Sequence, residues 1–192
     1  MIWRAEYKPT EFPRVSASRD EDSGKQRTMK PSVYIETTVI SYLTARPHRD
    51  IVVAGHQQST RDWWETASDR FELYASDVVL YEASAGDPTA ANERLAVLQE
   101  LPLLGISADA RMLAANLVDS GAIPAKAAED ALHIAVAAVS GIQFLVTWNF
   151  RHIANATMES QIAAMCRQAG YEPPVICSPE HLLKESEHHG VD

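Results

Sequence analysis

The sequence predicts a parallel-sheet α/β fold. Short β-branched or aromatic runs alternate along the chain with longer segments of helical character, the pattern of strands joined by crossover helices. The length of 192 residues, with 46% hydrophobic and 22% charged, suits one globular domain with a substantial core. There is no internal repeat, no phosphate-binding glycine loop and no GxSxG, which removes the common nucleotide-binding and hydrolase readings.

Composition narrows the class further. No apolar run is long enough for a transmembrane span, and no apolar stretch near the N-terminus resembles a secretory signal. Cys166 and Cys177 form no close-spaced pair, so a zinc site is disfavoured and a cytoplasmic protein with free thiols is the expectation. The net charge is −9. Residues 1–28 hold 6 basic and 5 acidic groups, which leaves 11 basic and 21 acidic over 29–192, a charge of −10. That argues against a non-specific nucleic-acid coat, whose binding rests on Lys and Arg. It is compatible with an enzyme that holds nucleic acid through a divalent metal and a local patch, and it suits a basic protein partner.

Residues 1–29, with Pro9, Pro13, Gly24, several serines and mixed charge, read as a disordered extension. Met29-Lys30 directly precedes the first strand, as a natural start would, so residues 1–28 are expected to be an upstream addition. The folded domain then spans 30–184, with a polar tail over 185–192. SVYI (32–35) is the first strand, followed by Glu36 and two threonines, either of which can cap a helix over 39–43. Residues 50–68 are helical; of the adjacent Trp63 and Trp64, one is expected in the core and the other partly exposed. FELYA (71–75) is a second strand, and Ser76 or Asp77 caps the helix carrying Glu82. Further helices are expected over 90–100 and 108–120, with a short strand over 102–106 between them. AKAAEDALHIAVAAV (125–139) has almost no polar face and reads as a buried helix bearing Asp130 and His133 three apart. QFLVT (143–147) is the clearest strand and ends in Trp148-Asn149. A helix over 158–169, a strand over 175–177 and a helical turn over 179–183 close the domain.

Glu36 stands where a strand passes into a helix, Asp130 in a buried helix, and Asn149 after the following strand. Glu82 joins them if its helix packs on the same sheet edge. In open α/β sheets the carboxyl edge is where sites form. Clustered acids are stable together only around cations, and oxygen donors without thiolate select Mg²⁺ or Mn²⁺. Such an ion can assist in-line displacement at phosphorus.

VYIETTVISYL (33–43), LYEASAGDP (80–88), EDALHIAVA (129–137), LVTWNFRHIANA (145–156) and ICSPEHLL (176–183) occur in the order found in PIN-domain ribonucleases. The chain resembles that family, and within it the VapC-type toxins of type II toxin–antitoxin pairs. The resemblance covers most of 30–183. It implies a three-layer α/β/α sandwich around a parallel sheet and a Mg²⁺-dependent endoribonuclease site, with Mn²⁺ as a substitute. It implies Glu36, Glu82 and Asp130 as the metal-binding acids, with Asn149 as the fourth catalytic position. It also implies an RNA substrate, a cognate antitoxin whose terminal segment occupies the acidic groove, and a homodimer.

Two positions depart from the family pattern. The first acid is Glu36 rather than the commoner Asp, and the fourth position is Asn149 rather than an acid. The site is thus expected to hold one Mg²⁺ tightly and to recruit any second ion with the substrate phosphate. Glu36 and Asp130 are expected to ligate directly or through water, and Glu82 to ligate or to orient the attacking water. Asn149 would hold a water or a substrate oxygen, and Thr37 would fix a carboxylate. His133 either orients Asp130 or is a satisfied core histidine. Arg151 and His152 either touch phosphate or form surface salt bridges. The competing reading, motivated by Asn149, is a catalytically weak or inactive PIN-like module that binds RNA or protein. A nuclease acting on DNA ends or flaps is disfavoured, since nothing in the chain resembles an arch insertion.

Overall fold

The computed structural model describes residues 14–15 and 30–183. Its six strands are all parallel: Arg14–Val15 (β1), Ser32–Ile35 (β2), Glu72–Ser76 (β3), Leu103–Leu104 (β4), Phe144–Val146 (β5) and Val175–Cys177 (β6), in spatial order β1-β4-β3-β2-β5-β6. The helices are Thr37–Thr44 (α1), Ile51–Arg70 (α2), Asp77–Ala83 (α3), Pro88–Leu98 (α4), Ala108–Asp119 (α5), Ala128–Val139 (α6) and Glu159–Gln168 (α7). From β2 the chain steps to β3 and β4 on one side, then returns to β5 and β6 on the other. Right-handed crossovers put successive helices on opposite faces when the direction reverses. Accordingly α1 packs with α2, α3 and α4, whereas α5 packs with α6 and α7. This is the expected α/β/α sandwich. The reversal lies between β2 and β5, and the crevice at their carboxyl ends is the topological switch point where ligands bind.

Burial follows the apolar runs. Val33, Tyr34 and Ile35 of β2 are inaccessible, as are Leu145 and Val146 of β5. Every residue of α6 from Ala131 to Ala138 is buried. Gly141 ends that helix at φ +66°, letting Ile142 N–H bond Ala137 O and its own N–H bond Ala138 O, a termination that side chains with a Cβ resist. Trp63 is fully buried and Trp64 partly so, as expected.

Several local expectations change. Glu36 itself is the N-cap of α1, its carboxylate accepting from Thr38 N–H, because an extended Glu36 places a longer acceptor there than either threonine does. The segment 125–139 is not one helix: Ala125–Ala127 is a 3₁₀ turn, and α6 starts at Ala128 after Ala127 leaves the helical region at φ −116°, ψ 33°. Within the stretch read as disordered, Arg14–Val15 form β1 beside Leu103–Leu104. The gain is clear, since β4 would otherwise leave its outer backbone groups unpaired at the sheet edge. The rest of the expected extension, and the tail over 185–192, lie outside the described residues.

Candidate active site

Glu36 follows β2 directly and is only 4% exposed. Its backbone N–H bonds Val146 O of β5 at 3.1 Å, which locks it into the β2–β5 crevice. Its Oε2 accepts from Thr38 N–H at 3.1 Å, from Thr38 Oγ1, and from Thr147 Oγ1 at 2.7 Å. Burial pushes the carboxyl above its ordinary value, against the opposing pull of His133 and these donors.

Glu82 reaches the same place from α3. Its Oε2 accepts from Thr37 Oγ1 and pairs with His133 Nε2 at 3.1 Å. Burial would raise this carboxyl, but the His133 hydrogen bond and charge, with Thr37, outweigh it and hold the group below its ordinary value. His133, 1% exposed on α6, feels the converse: burial disfavours its charged form, yet Glu82, Glu36 and Asp130 raise it overall. Its Nδ1 meets Tyr34 Oη at 2.8 Å, and that hydroxyl meets Ser76 Oγ at 2.6 Å. A buried polar chain therefore runs from Glu82 through His133 and Tyr34 to the cap of α3.

Donor atoms of Glu36, Glu82 and His133 lie within 4.8 Å of one another. Both carboxylates spend Oε2 on these protein bonds; Oε1 of each has no protein hydrogen bond among the described residues. Two fixed carboxylates, each with a spare oxygen, suit a hard divalent cation. The neighbouring imidazole is already held on both nitrogens and serves them from behind.

Asp130 lies outside that 4.8 Å cluster. Asn149 Nδ2 donates to its Oδ1 at 2.9 Å, and His152 Nδ1 pairs with its Oδ2 at 2.9 Å. Asn149 Oδ1 in turn accepts from His152 N–H at 3.1 Å, so the amide is a clamp on Asp130 and the loop after β5. The structure thus joins Glu36 with Glu82, and Asp130 with Asn149, as two adjoining groups linked by the charge of His133. Helical spacing suggested His133 as Asp130's neighbour; its ring turns instead to Glu82. Thr37 does fix a carboxylate, that of Glu82.

Sequence reasoning missed Thr147 and Tyr34; Ser76 was expected as a possible cap of the helix carrying Glu82, which it is, but not as a partner of Tyr34. Thr147 bridges the halves, donating to Glu36 while accepting from Asn149 N–H at 2.8 Å. A hydroxyl residue ending the apolar strand run QFLVT was its signal. For Tyr34 the signal was one phenol inside a strand that is otherwise aliphatic at its centre.

No family model and no curated protein matches the chain. Among solved structures, it is similar to VapBC2 from Rickettsia felis bound to a DNA fragment from its promoter: 16% identity over 76% of this chain and 97% of that one, TM-score 0.49. It is also similar to Mycobacterium tuberculosis VapC20, a sarcin-ricin loop cleaving toxin: 18% identity over 65% of this chain and 95% of that one, TM-score 0.49. Among the described residues, no helix is long and apolar enough to cross a membrane.

Proposed function

We propose that this chain is a divalent-metal-dependent endoribonuclease of the PIN kind, the toxin of a toxin–antitoxin pair, acting in the cytoplasm on RNA phosphodiester bonds. The observation that carries this reading is the Glu36–Glu82 pair, with donor atoms within 4.8 Å of each other and of His133, in the β2–β5 crevice. The five motifs in family order support it.

Glu36 and Glu82 would hold Mg²⁺, or Mn²⁺ in its place, and Asp130 would contribute directly or through water. A bound ion supplies Lewis-acid stabilisation at the scissile phosphate and acidifies water. Thr38 and Thr147 fix Glu36, and Thr37 and His133 fix Glu82, so that neither carboxylate must reorganise when substrate arrives. His152 Nδ1, paired with Asp130 Oδ2, would help Asn149 hold that carboxylate in place. A small antitoxin with a basic segment is the proposed partner, complementary to the −10 charge of residues 29–192, and the chain is proposed to form a homodimer.

The second reading, a binding module without turnover, is favoured by one observation: the Asn149 amide is occupied by Asp130 and His152 on both of its ends. Cleavage of total cellular RNA separates the two. The purified protein is assayed in Mg²⁺, in Mn²⁺ and in chelator, beside Glu82→Gln and Asp130→Ala. Discrete fragments that require metal and both acids are expected; a folded protein that leaves RNA intact under every condition would leave the binding module.

A further inference from the structure

A second cluster adjoins the acids, and neither the metal nor the hydrolysis uses it. Four rings pack together where α1, α2 and the loop after β5 meet. His56 lies on Trp148 with centroids 4.1 Å apart and planes 19° apart. Tyr42 is nearly parallel to His56 at 6.2 Å and 22°. Phe150 stands edge-on to Trp148 at 5.9 Å and to His56 at 6.2 Å. Trp148 is the buried floor, its indole N–H bonded to Thr60 Oγ1 at 2.8 Å. Phe150 is the outermost ring, 47% exposed. The cluster is coupled to the site, since Trp148 N–H bonds Thr38 Oγ1 at 2.9 Å, the hydroxyl that also holds Glu36.

Arginines stand on the loops beside these rings. The loop from α1 to α2 carries Arg46 and Arg49, and it is pinned beside His56. The buried Gln57 donates to Arg46 O at 3.0 Å and accepts from His48 N–H at 2.9 Å. Arg151 follows Phe150. All three arginines are exposed, and none forms an ion pair among the described residues. In a chain of net charge −9, three exposed arginines without an ion pair among the described residues, on the two loops beside this ring cluster, suit an anionic, stackable ligand. Nucleobases stack on such rings with little regard to sequence, and phosphates take the neighbouring cations.

We infer that this surface is a stacking subsite for an unpaired base of single-stranded RNA next to the scissile phosphate, with Phe150 against the base and Arg46, Arg49 and Arg151 on adjacent phosphates. The inference rests on the ribonuclease reading and adds how substrate is gripped. A protein partner is the less fitting occupant, because the apolar part of the patch is a single exposed ring bordered by charge rather than a broad apolar face.

The test is stopped-flow binding of a short single-stranded RNA carrying 2-aminopurine to the full chain in Mg²⁺, read before any cleavage. Stacking quenches the probe. Phe150→Ala should weaken binding about tenfold and abolish the quench, and Phe150→Trp should restore both. Arg46→Ala with Arg49→Ala should keep the quench and reduce the slope of log affinity against log salt by about 0.7 for each phosphate deprived of its arginine. RNA that is cleaved normally with Phe150→Ala and both arginine changes having no effect on affinity or quench would overturn the subsite while leaving the ribonuclease standing, and would assign the patch to a protein partner. RNA that stacks on Phe150 yet is never cleaved would uphold the subsite against the ribonuclease reading. No binding by the unaltered protein would overturn both.

Discussion

Replacing Glu36 by Gln should remove most of the protein's stabilisation by divalent metal and so reverse the stability order of variant and parent between chelator and Mg²⁺. Without an ion, Glu36 is a nearly buried carboxylate, and its pKa, raised by that burial, means that the fold prefers it neutral relative to the unfolded chain. At neutral pH the charged form is therefore a net cost to folding. The amide keeps one oxygen for Thr38 N–H, Thr38 Oγ1 and Thr147 Oγ1, although each bond weakens when the acceptor loses its charge. The balance favours the variant, so in chelator its Tm should lie above that of the parent. With Mg²⁺ the order reverses. At a hundredfold excess over Kd, the unaltered protein gains about 2.7 kcal/mol, or roughly 5–10 °C, while the variant, short of a ligand, gains little. Thermal unfolding of both proteins in chelator and in Mg²⁺ gives the four numbers needed. A variant that is less stable than the parent in chelator, or that gains as much from Mg²⁺, would refute the reasoning.

Three further outcomes are expected. Asn149→Asp turns the donor facing Asp130 Oδ1 at 2.9 Å into a second carboxylate, so the metal-free protein should lose about 2 kcal/mol and recover part of it in Mg²⁺, measured by urea unfolding with and without chelator. The His133–Glu82 pair should stabilise the metal-free fold most between pH 4.5 and 6.5. Its contribution fades as pH rises through the raised His133 value and as pH falls through the lowered Glu82 value, so the stability gap to His133→Gln should narrow on both sides; a gap independent of pH would contradict the pairing. Cys166 and Cys177 are pushed up to about 11 by burial, so at pH 8 a thiol reagent should label them only at the rate of unfolding, and immediate labelling of the native protein would show the burial to be wrong.

The elements that build the crevice were legible because their signals are local. SVYI, FLV and the small apolar run of α6 could bury themselves only inside a two-faced sheet or beneath one. Glu36 was legible as an acid at the carboxyl end of the first strand, whereas Glu82, within the helix after β3, was legible only on the condition that its helix packs on the same edge. What the sequence hid is the pairing across the site. Spacing on a helix identifies neighbours along it, and so pointed His133 toward Asp130; the partner that claims His133 comes from 51 residues away. Asp130 is likewise held by side chains 19 and 22 residues on, positioned by how β5 ends rather than by any motif. The aromatic cluster gave no periodic signal, because its rings come from two helices and a loop. β1 was hidden for another reason: two residues carry too little pattern to mark a strand, and only the open edge of β4 explains it.

The most direct measurement of whether Glu36 and Glu82 form a cation site is electron paramagnetic resonance of Mn²⁺ titrated into the full-length protein. The expected result is one Mn²⁺ bound per chain before RNA is added, displaced by Mg²⁺ and lost in Glu82→Gln. Mn²⁺ that stays free beside the unaltered protein, or that binds Glu82→Gln as tightly, would contradict a metal held between these two carboxylates.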